Sequence, residues 1–148
     1  MARATTATFD KMVVEVEWVA SSGTYAKVCG ITSRGINRQH NMSVTAVPDC
    51  DDESLPAANE RAVESSDVTI SGSGVWASEA NGKMLDWWYG GGTKNIRVRH
   101  VNAEVGDTEY ESGSAYLVSL SNQAERGSKV TADIGIEFDG LPTRTDKA

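Results

Sequence analysis

Apolar and polar residues alternate along much of the chain, and the most regular alternation lies near its end. Between residues 129 and 139, one set of alternate positions is apolar: Val130, Ala132, Ile134, Ile136 and Phe138. The positions between them are polar and mostly acidic. A period of two over this length indicates a β-strand with one buried and one solvated face. A polar turn ending at Gly127 joins it to a preceding strand, residues 114–120.

The same pattern predicts five further strands. They cover residues 11–19, 25–32, 42–47, 68–76 and 94–102. In the first of them, Glu15 and Glu17 fall on the wetter face, and the last carries the one basic patch, Lys94, Arg97 and Arg99. The glycines at positions 72 and 74 predict a bulge or a close backbone approach within the fourth.

One segment, residues 78–89, has helical periodicity. Ser78 is expected to cap its first turn, and three glycines, residues 90–92, end it. Four large apolar side chains are expected to pack the helix onto a sheet: Met84, Leu85, Trp87 and Trp88. Core packing is favoured over a cofactor site for this group. The order of elements predicts a mainly antiparallel β-sandwich or half-open barrel with one packed helix.

The length of 148 residues predicts one domain, residues 1–148, with three segments outside the strand pattern. Residues 1–10 are expected to form a mobile arm, residues 141–148 a polar tail, and residues 41–66 a long loop that includes the short strand 42–47. The long loop carries Asp49, Asp51, Asp52, Glu53, Leu55 and Arg61. Loops of this length are functional or disordered. Two interpretations stay open: a solvated loop, or an arm that orders against another copy.

Composition excludes several classes of function. The net charge of −7 disfavours binding to DNA or to an anionic membrane, because phosphate binding depends on clustered Lys and Arg. No apolar run is long enough to span a membrane. The first residues lack the apolar core of a signal peptide, so both cysteines, Cys29 and Cys50, are expected to be reduced.

The sequence contains no motif for catalysis or for metal binding. Gly82 and Lys83 precede Met84 rather than the Ser or Thr of a phosphate-binding loop. The acidic run does not have calcium-loop spacing, and neither His40 nor His100 has a partner at zinc spacing. We therefore predict no catalytic residue, no metal site, no cofactor and no enzyme activity. The chain is expected to be a building block or a binding module.

Several segments together resemble the tail tube proteins of long-tailed bacteriophages and gene transfer agents. The resemblance lies in residues 68–74, the helix end at 84–89, the basic strand 96–99, the final strand leading into 140–143, and the stretch 48–52. It implies a β-sandwich-like structural subunit whose helix faces outward. It also implies hexameric rings joined into one continuous β-barrel and stacked into a hollow tube. The long loop and the terminal arm would reach the adjacent ring, and DNA would leave through the lumen without specific binding.

The resemblance further implies a place in the virion tail, assembly in the bacterial host cytoplasm, and tape-measure, terminator and distal tail proteins as partners. We expect five acidic residues to line the lumen: Glu15, Glu17, Asp133, Glu137 and Asp139. Carboxylates there would repel phosphates and let DNA slide. The alternative for these residues is a position on the outer surface.

Three other functions remain open at this stage. The first is a related tail or neck component, or the tube subunit of a secretion machine. The second is a sugar-binding β-sandwich that uses Trp76, Trp87 and Trp88. The third, a hydrolase, has the least support.

Overall fold

Eight strands form one antiparallel sheet in the computed structural model, which describes residues 2–148. The strands are β1 Met12–Val16, β2 Ala26–Lys27, β3 Ile31–Val47, β4 Ala58–Val75, β5 Thr93–His100, β6 Thr108–Gln123, β7 Thr131–Phe138 and β8 Thr143–Asp146. The helix α1, Ser78–Gly90, lies between β4 and β5, and a short 3₁₀ turn, Phe9–Lys11, precedes β1. The sheet order is β2-β1-β5-β6-β7-β4-β3, with β8 beside β6. The predicted mainly antiparallel β fold with one packed helix is confirmed.

The core lies between the curled sheet and α1. Its buried apolar side chains come from alternate positions on the strands and from one side of the helix: Val16, Val68, Ile70, Met84, Trp87, Ile96, Val98, Ala115, Leu117, Ile134, Ile136 and Phe138. Trp87 meets Trp18 edge to face, with ring centroids 6.2 Å apart. Burial of this apolar surface is the main favourable contribution to folding.

Arg34 closes the gap between the two ends of the curled sheet. It lies on β3, and its guanidinium donates hydrogen bonds to the main-chain carbonyls of Phe9 and Met12, at the start of β1. The guanidinium also stacks over the ring of Phe9, 3.8 Å from its centroid. A side chain therefore connects β3 to β1 where no strand pairing does.

The helix differs from its prediction in two details. Its N-cap is Ala77, which makes no side-chain capping bond, rather than Ser78. Met84 and Trp87 are buried as predicted and Leu85 is half-buried, but Trp88 is 45% exposed. The core-packing prediction is wrong for Trp88, because its indole points to the sheet edge and donates to the carbonyl of Val118.

Three strand predictions also need correction. Residues 25–32 are not one strand, because Ala26–Lys27 pairs with β1, residues 28–30 have no strand structure, and β3 begins at Ile31. The expected long loop, residues 41–66, is mostly two paired strands, so that only residues 48–57 lack strand structure. The expected tail is held to the body by β8, which pairs with the start of β6. The mobility of the N-terminal arm stays a prediction, and Met1 lies outside the described residues.

Close backbone contact explains the glycine at position 74. A Cβ there would lie 2.1 Å from the carbonyl oxygen of Gly30 and 2.8 Å from the Cα of Ile31. A register shift between Ile31 and Ser33 occurs at the same place. The predicted close approach is therefore present in β4, whereas the bulge lies opposite it on β3, at Thr32.

We expect Gly74→Ala to destabilise the subunit by about 3 kcal/mol, because the backbone of β3 cannot yield as a flexible side chain can. Gly82→Ala is the matched control, since no atom lies within 4 Å of its added Cβ and Gly82 is inside α1. That control should stabilise the subunit by about 1 kcal/mol. Chemical denaturation of both variants measures the two changes, and equal midpoints would contradict the packing argument.

Candidate functional site

The sheet face opposite the core is hydrophilic across β6, β7, β4 and β3. Register pairs Asp133 with Ser73 and Ser121, and Glu137 with Thr69 and Tyr116. Directly paired residues share a face. Small polar side chains occupy most of the remaining positions: Ser33, Asn37, Ser71, Ser119 and Thr131. We call this surface the polar face. It carries carboxylates, and no Lys or Arg occurs among these paired positions.

Asp133, Glu137 and Asp139 are exposed. Asp133 and Glu137 lie on the polar face, and Asp139 follows the end of β7, where its amide donates to the carbonyl of Ser114. Asp67 is a further acidic residue on this face that the sequence interpretation missed. It pairs with Gln39, one position before buried Val68, so strand alternation alone could have identified it.

Glu15 and Glu17 are both 6% exposed, so the prediction that they line a lumen is wrong. Glu15 lies opposite Arg97 on the neighbouring strand, and their charged groups are 3.2 Å apart. The guanidinium of Arg97 also lies over the rings of Tyr25 and Tyr110, 4.3 and 4.5 Å from their centroids. This ion pair is buried because β1 pairs with β5. The two strands are far apart in sequence, so the local pattern around Glu15 does not show this pairing.

Glu17 has a structural role at the turn after β1. Its carboxylate accepts hydrogen bonds from the amides of Ser21 and Gly23, at 3.0 and 3.1 Å, and from the side chain of Asn95 at 3.3 Å. It therefore fixes the turn and joins it to β5. The strand β1 ends at Val16, just before this turn, rather than at residue 19.

The polar face has two edges that lack strand partners within residues 2–148. β3 pairs with β4 alone. The pairing of β5 with β6 stops at Tyr116, so that the following part of β6 pairs only with β7. Trp88 occupies one carbonyl on this second edge, that of Val118. Unpaired edges of this kind are templates for pairing with another chain.

A two-stranded ribbon projects from the body. It consists of residues 39–67, which pair only with each other, whereas β4 pairs with β7 from Thr69 onward. Nearly every ribbon side chain is exposed. By register, one face of it carries four apolar residues, Met42, Val44, Ala46 and Val63, together with Asn59 and Arg61. An isolated two-stranded hairpin is marginally stable in water, so a partner surface is expected for this mostly apolar face.

The tip of the ribbon, residues 48–57, is acidic and internally bonded. The Asp49 carboxylate accepts the amides of Asp51 and Asp52, which lowers the pKa of Asp49. The Ser54 hydroxyl and amide lower the pKa of Asp52 in the same way. Of the six residues predicted for an inter-ring segment, five are in the tip: Asp49, Asp51, Asp52, Glu53 and Leu55. Arg61 is away from them on β4, opposite Val44.

A charged cluster anchors the root of the ribbon. Arg38 on β3 makes two hydrogen bonds to the carboxylate of Glu111 on β6, which is 8% exposed. His100 lies 3.5 Å from the same carboxylate. Burial raises the pKa of Glu111, but the hydrogen bonds and charges of Arg38 and His100 outweigh it, so the pKa lies below its ordinary value.

Four further kinds of feature would be relevant to function within residues 2–148: metal sites, membrane-spanning helices, disulfides and a sugar-binding platform. Among residues 2–148, no three His, Cys, Asp or Glu side chains cluster as metal ligands. No helix in that range has the length and apolarity to cross a membrane. Cys29 and Cys50 are both free and exposed. Trp87 is buried, so it cannot contribute to the aromatic platform that a sugar-binding site would need.

A hydrophilic sheet face with open edges, beside a ribbon that has no partner, defines a structural subunit of the self-assembling class. Comparison with protein families gives a match over residues 6–144 to the model described as phage tail tube protein. The chain belongs to the phage tail tube protein family. Comparison with curated proteins gives no match.

The chain has the fold of subunits in two solved tail structures and one solved virion. The chain is similar to a subunit in the tail of an empty gene transfer agent particle, computed with helical refinement and C6 symmetry (TM-score 0.74, 13% identity, 95% of this chain and 99% of that chain). It is similar to a chain of the native gene transfer agent virion (TM-score 0.73, 11% identity, 95% and 99%). It is also similar to the SPP1 tail tube (TM-score 0.66, 13% identity, 95% and 80%). The predicted resemblance and the tail tube function are confirmed.

We expect Glu111→Gln to reduce stability at neutral pH more than at acid pH. Because the pKa of Glu111 is lower in the folded state, its ionised form stabilises the wild type above the unfolded pKa of about 4.3. That contribution is lost as the pH falls through the folded pKa. Urea unfolding at pH 7, 5, 4 and 3 should therefore give curves for wild type and variant that converge at low pH. A constant difference between them would contradict the assigned role of the carboxylate.

Proposed function

We propose that six copies form a ring whose polar faces line a lumen, and that stacked rings conduct DNA during ejection. The observation that carries this proposal is the four-strand polar face with its two open edges. Neighbouring strands in the order β6-β7-β4-β3 run in opposite directions. The two outer strands therefore run antiparallel to each other, so β3 of one copy can pair with β6 of the next without breaking the alternation.

Ring closure by these edges is a head-to-tail interface, which gives a closed ring when the rotation between copies fits. Six copies of four strands, about 4.8 Å apart and tilted by about 40°, give a barrel roughly 48 Å across at the backbone. The side chains leave an opening wider than a DNA duplex. The C6 symmetry of the similar gene transfer agent tail supports the choice of six.

The charge of the polar face suits a passage for DNA. In a six-membered ring, each acidic position becomes a collar of carboxylates, with Asp67, Asp133 and Glu137 as the positions that the register assigns. Asp139 lies beside them at the end of β7. A wall without cations repels phosphates and offers no counter-charge at which DNA would stop.

The ribbon is the element that we assign to stacking. Its nine-residue limb from Gln39 to Val47 spans roughly 30 Å. That reach, together with its unpartnered apolar face, fits a segment that extends from one ring onto the next. The same assembly would meet tape-measure, terminator and distal tail proteins in the virion tail, after assembly in the host cytoplasm.

Replacing Asp133 and Glu137 by Lys should leave tubes intact but slow DNA release, because the lumen then binds phosphates. We expect a severalfold slower release at low salt, with recovery as salt screens the charges. Particles that carry the variant can be followed with a DNA-binding dye after ejection is triggered.

The matched control for this experiment is Glu79→Lys with Asp86→Lys, an equal charge change on exposed positions of α1. This control should release DNA at the wild-type rate. Unchanged release from the Asp133 and Glu137 variant at low salt would contradict the lumen assignment.

Shortening the ribbon should abolish elongation and leave the body folded. The variant replaces residues 43–62 by Asn-Gly, so that Met42 and Val63, which are paired in the structure, are joined by a tight turn. Because the rest of β4 still pairs with β7, we expect the circular dichroism of a folded β-sheet protein and a soluble subunit. Electron microscopy should then find no tubes. Tubes of normal length would contradict the stacking role of the ribbon.

A further inference from the structure

The four-strand unit has two different ends. The ribbon projects from one end. At the other end, Thr131 pairs with both Val75 and Gln123, and the amide of Trp76 donates to the carbonyl of Val130 at 2.8 Å. We call this opposite surface the far end, and define it as residues 75 and 76 with the turn 124–130. Each subunit therefore carries an acidic tip on one side and the far end on the other.

The far end has the composition of a contact surface. Val75 and Trp76 are 44% and 42% exposed, although both are large and apolar. Arg126 and Lys129 are exposed in the adjoining turn, and neither makes a salt bridge to another residue in the range 2–148. Trp and Arg are among the residue types that contribute most to protein–protein binding.

The tip is complementary to the far end in charge, because Arg126 and Lys129 outnumber Glu125, the one carboxylate of the turn 124–130. Residues 48–57 include four carboxylates and no Lys or Arg. Leu55 is 51% exposed in the same loop. The bonds of Asp49 and Asp52 within the tip fix its conformation, which leaves Asp51 and Glu53 available for a partner. A tip that is already ordered loses less entropy on docking.

We propose that the tip of each subunit docks on the far end of a second copy in the adjacent ring, with Asp51 and Glu53 facing Arg126 and Lys129 and with Leu55 against Trp76. This inference rests on the proposed stacking role of the ribbon and names its acceptor. Tip and far end are different surfaces at opposite ends of the same chain. Such a contact does not close on itself but repeats along an axis, which is the requirement for a filament.

Charge reversal tests the docking directly. Arg126→Glu with Lys129→Glu should raise the protein concentration needed for tube growth at least tenfold. Asp51→Lys with Glu53→Lys should do the same. The chain that carries all four changes should elongate again, because the complementarity is restored with reversed sign. The matched control, Lys83→Glu with Lys147→Glu, changes the charge equally at residues outside both surfaces and should elongate like wild type.

Light scattering and negative-stain microscopy measure tube growth in each case. Tube growth of the Arg126 and Lys129 variant at the wild-type concentration would overturn the docking. So would failure of the variant with all four changes to form tubes again. In either case the ribbon-shortening experiment still decides separately whether the ribbon stacks rings at all. Failure of the wild type to form tubes would instead count against the proposed function itself.

The two native cysteines provide a test of geometry. Cys50 is in the tip, and Cys29 lines a small cavity together with Val75 and Trp76 of the far end. Reduced wild-type tubes treated with a short bis-maleimide should yield linked subunits joined between Cys29 and Cys50, identified by peptide mass spectrometry. Cys29→Ser and Cys50→Ser should each abolish that link. Tubes of normal length without the Cys29–Cys50 link would overturn the proposed docking.

Discussion

Main-chain amides and carbonyls along the outer edge of β3 have no strand partner within residues 2–148. An unpaired edge of this length invites pairing with other chains and is a liability in a monomer, where natural sheets cover or charge it. Here the edge is neither covered by an element of the described chain nor rich in Lys. The fold thus leaves main-chain donors and acceptors unpaired, and another subunit can bond to them. Such an open edge is consistent with membership of a family of tube proteins.

The distribution of charge follows from the same arrangement. On the paired strands β1 and β5, acidic and basic side chains lie next to each other. They neutralise one another, as Glu15 and Arg97 do in a largely buried ion pair. On β7 and β4, the acidic residues have small polar neighbours and remain exposed. Breaking a buried pair leaves an uncompensated charge, whereas an exposed carboxylate contributes to the field outside the subunit. The carboxylates of Asp133 and Glu137 therefore contribute to the field around the sheet, whereas that of Glu15 is neutralised within it.

The ribbon is attached to the body of the subunit in two ways. Its strands continue β3 and β4 of the polar face, and Arg38 at its root is bonded to Glu111 beside His100. The root is therefore rigidly connected to the body, while the outer part has partners only within itself. Because its root is fixed, the ribbon projects from the body in one direction, and a subunit that binds it is held at a set position. This property suits a segment that sets the position of one subunit relative to another.

Local periodicity determined much of the structure. Alternation in residues 129–139 identified the buried face of β7, and Met84 with Trp87 identified the buried side of α1, because each pattern reflects a neighbouring core that any such element needs. The glycine at position 74 correctly indicated a close backbone approach. The exposure of Asp133 and Glu137 followed from the same alternation, and the combination of weak motifs pointed to the right family.

The sequence alone did not determine which strands meet. Glu15 and Glu17 have the same local pattern as Asp133, yet their carboxylates are buried because Arg97 and Asn95 lie opposite on β5. Residues 41–66 have the composition of a loop, yet they pair into a ribbon, since hydrogen bonding between β3 and β4 outweighs weak local propensity. Pairing between distant segments is a property of the folded chain as a whole. Only the tertiary structure could therefore distinguish a buried carboxylate from an exposed one and a paired strand from a loop.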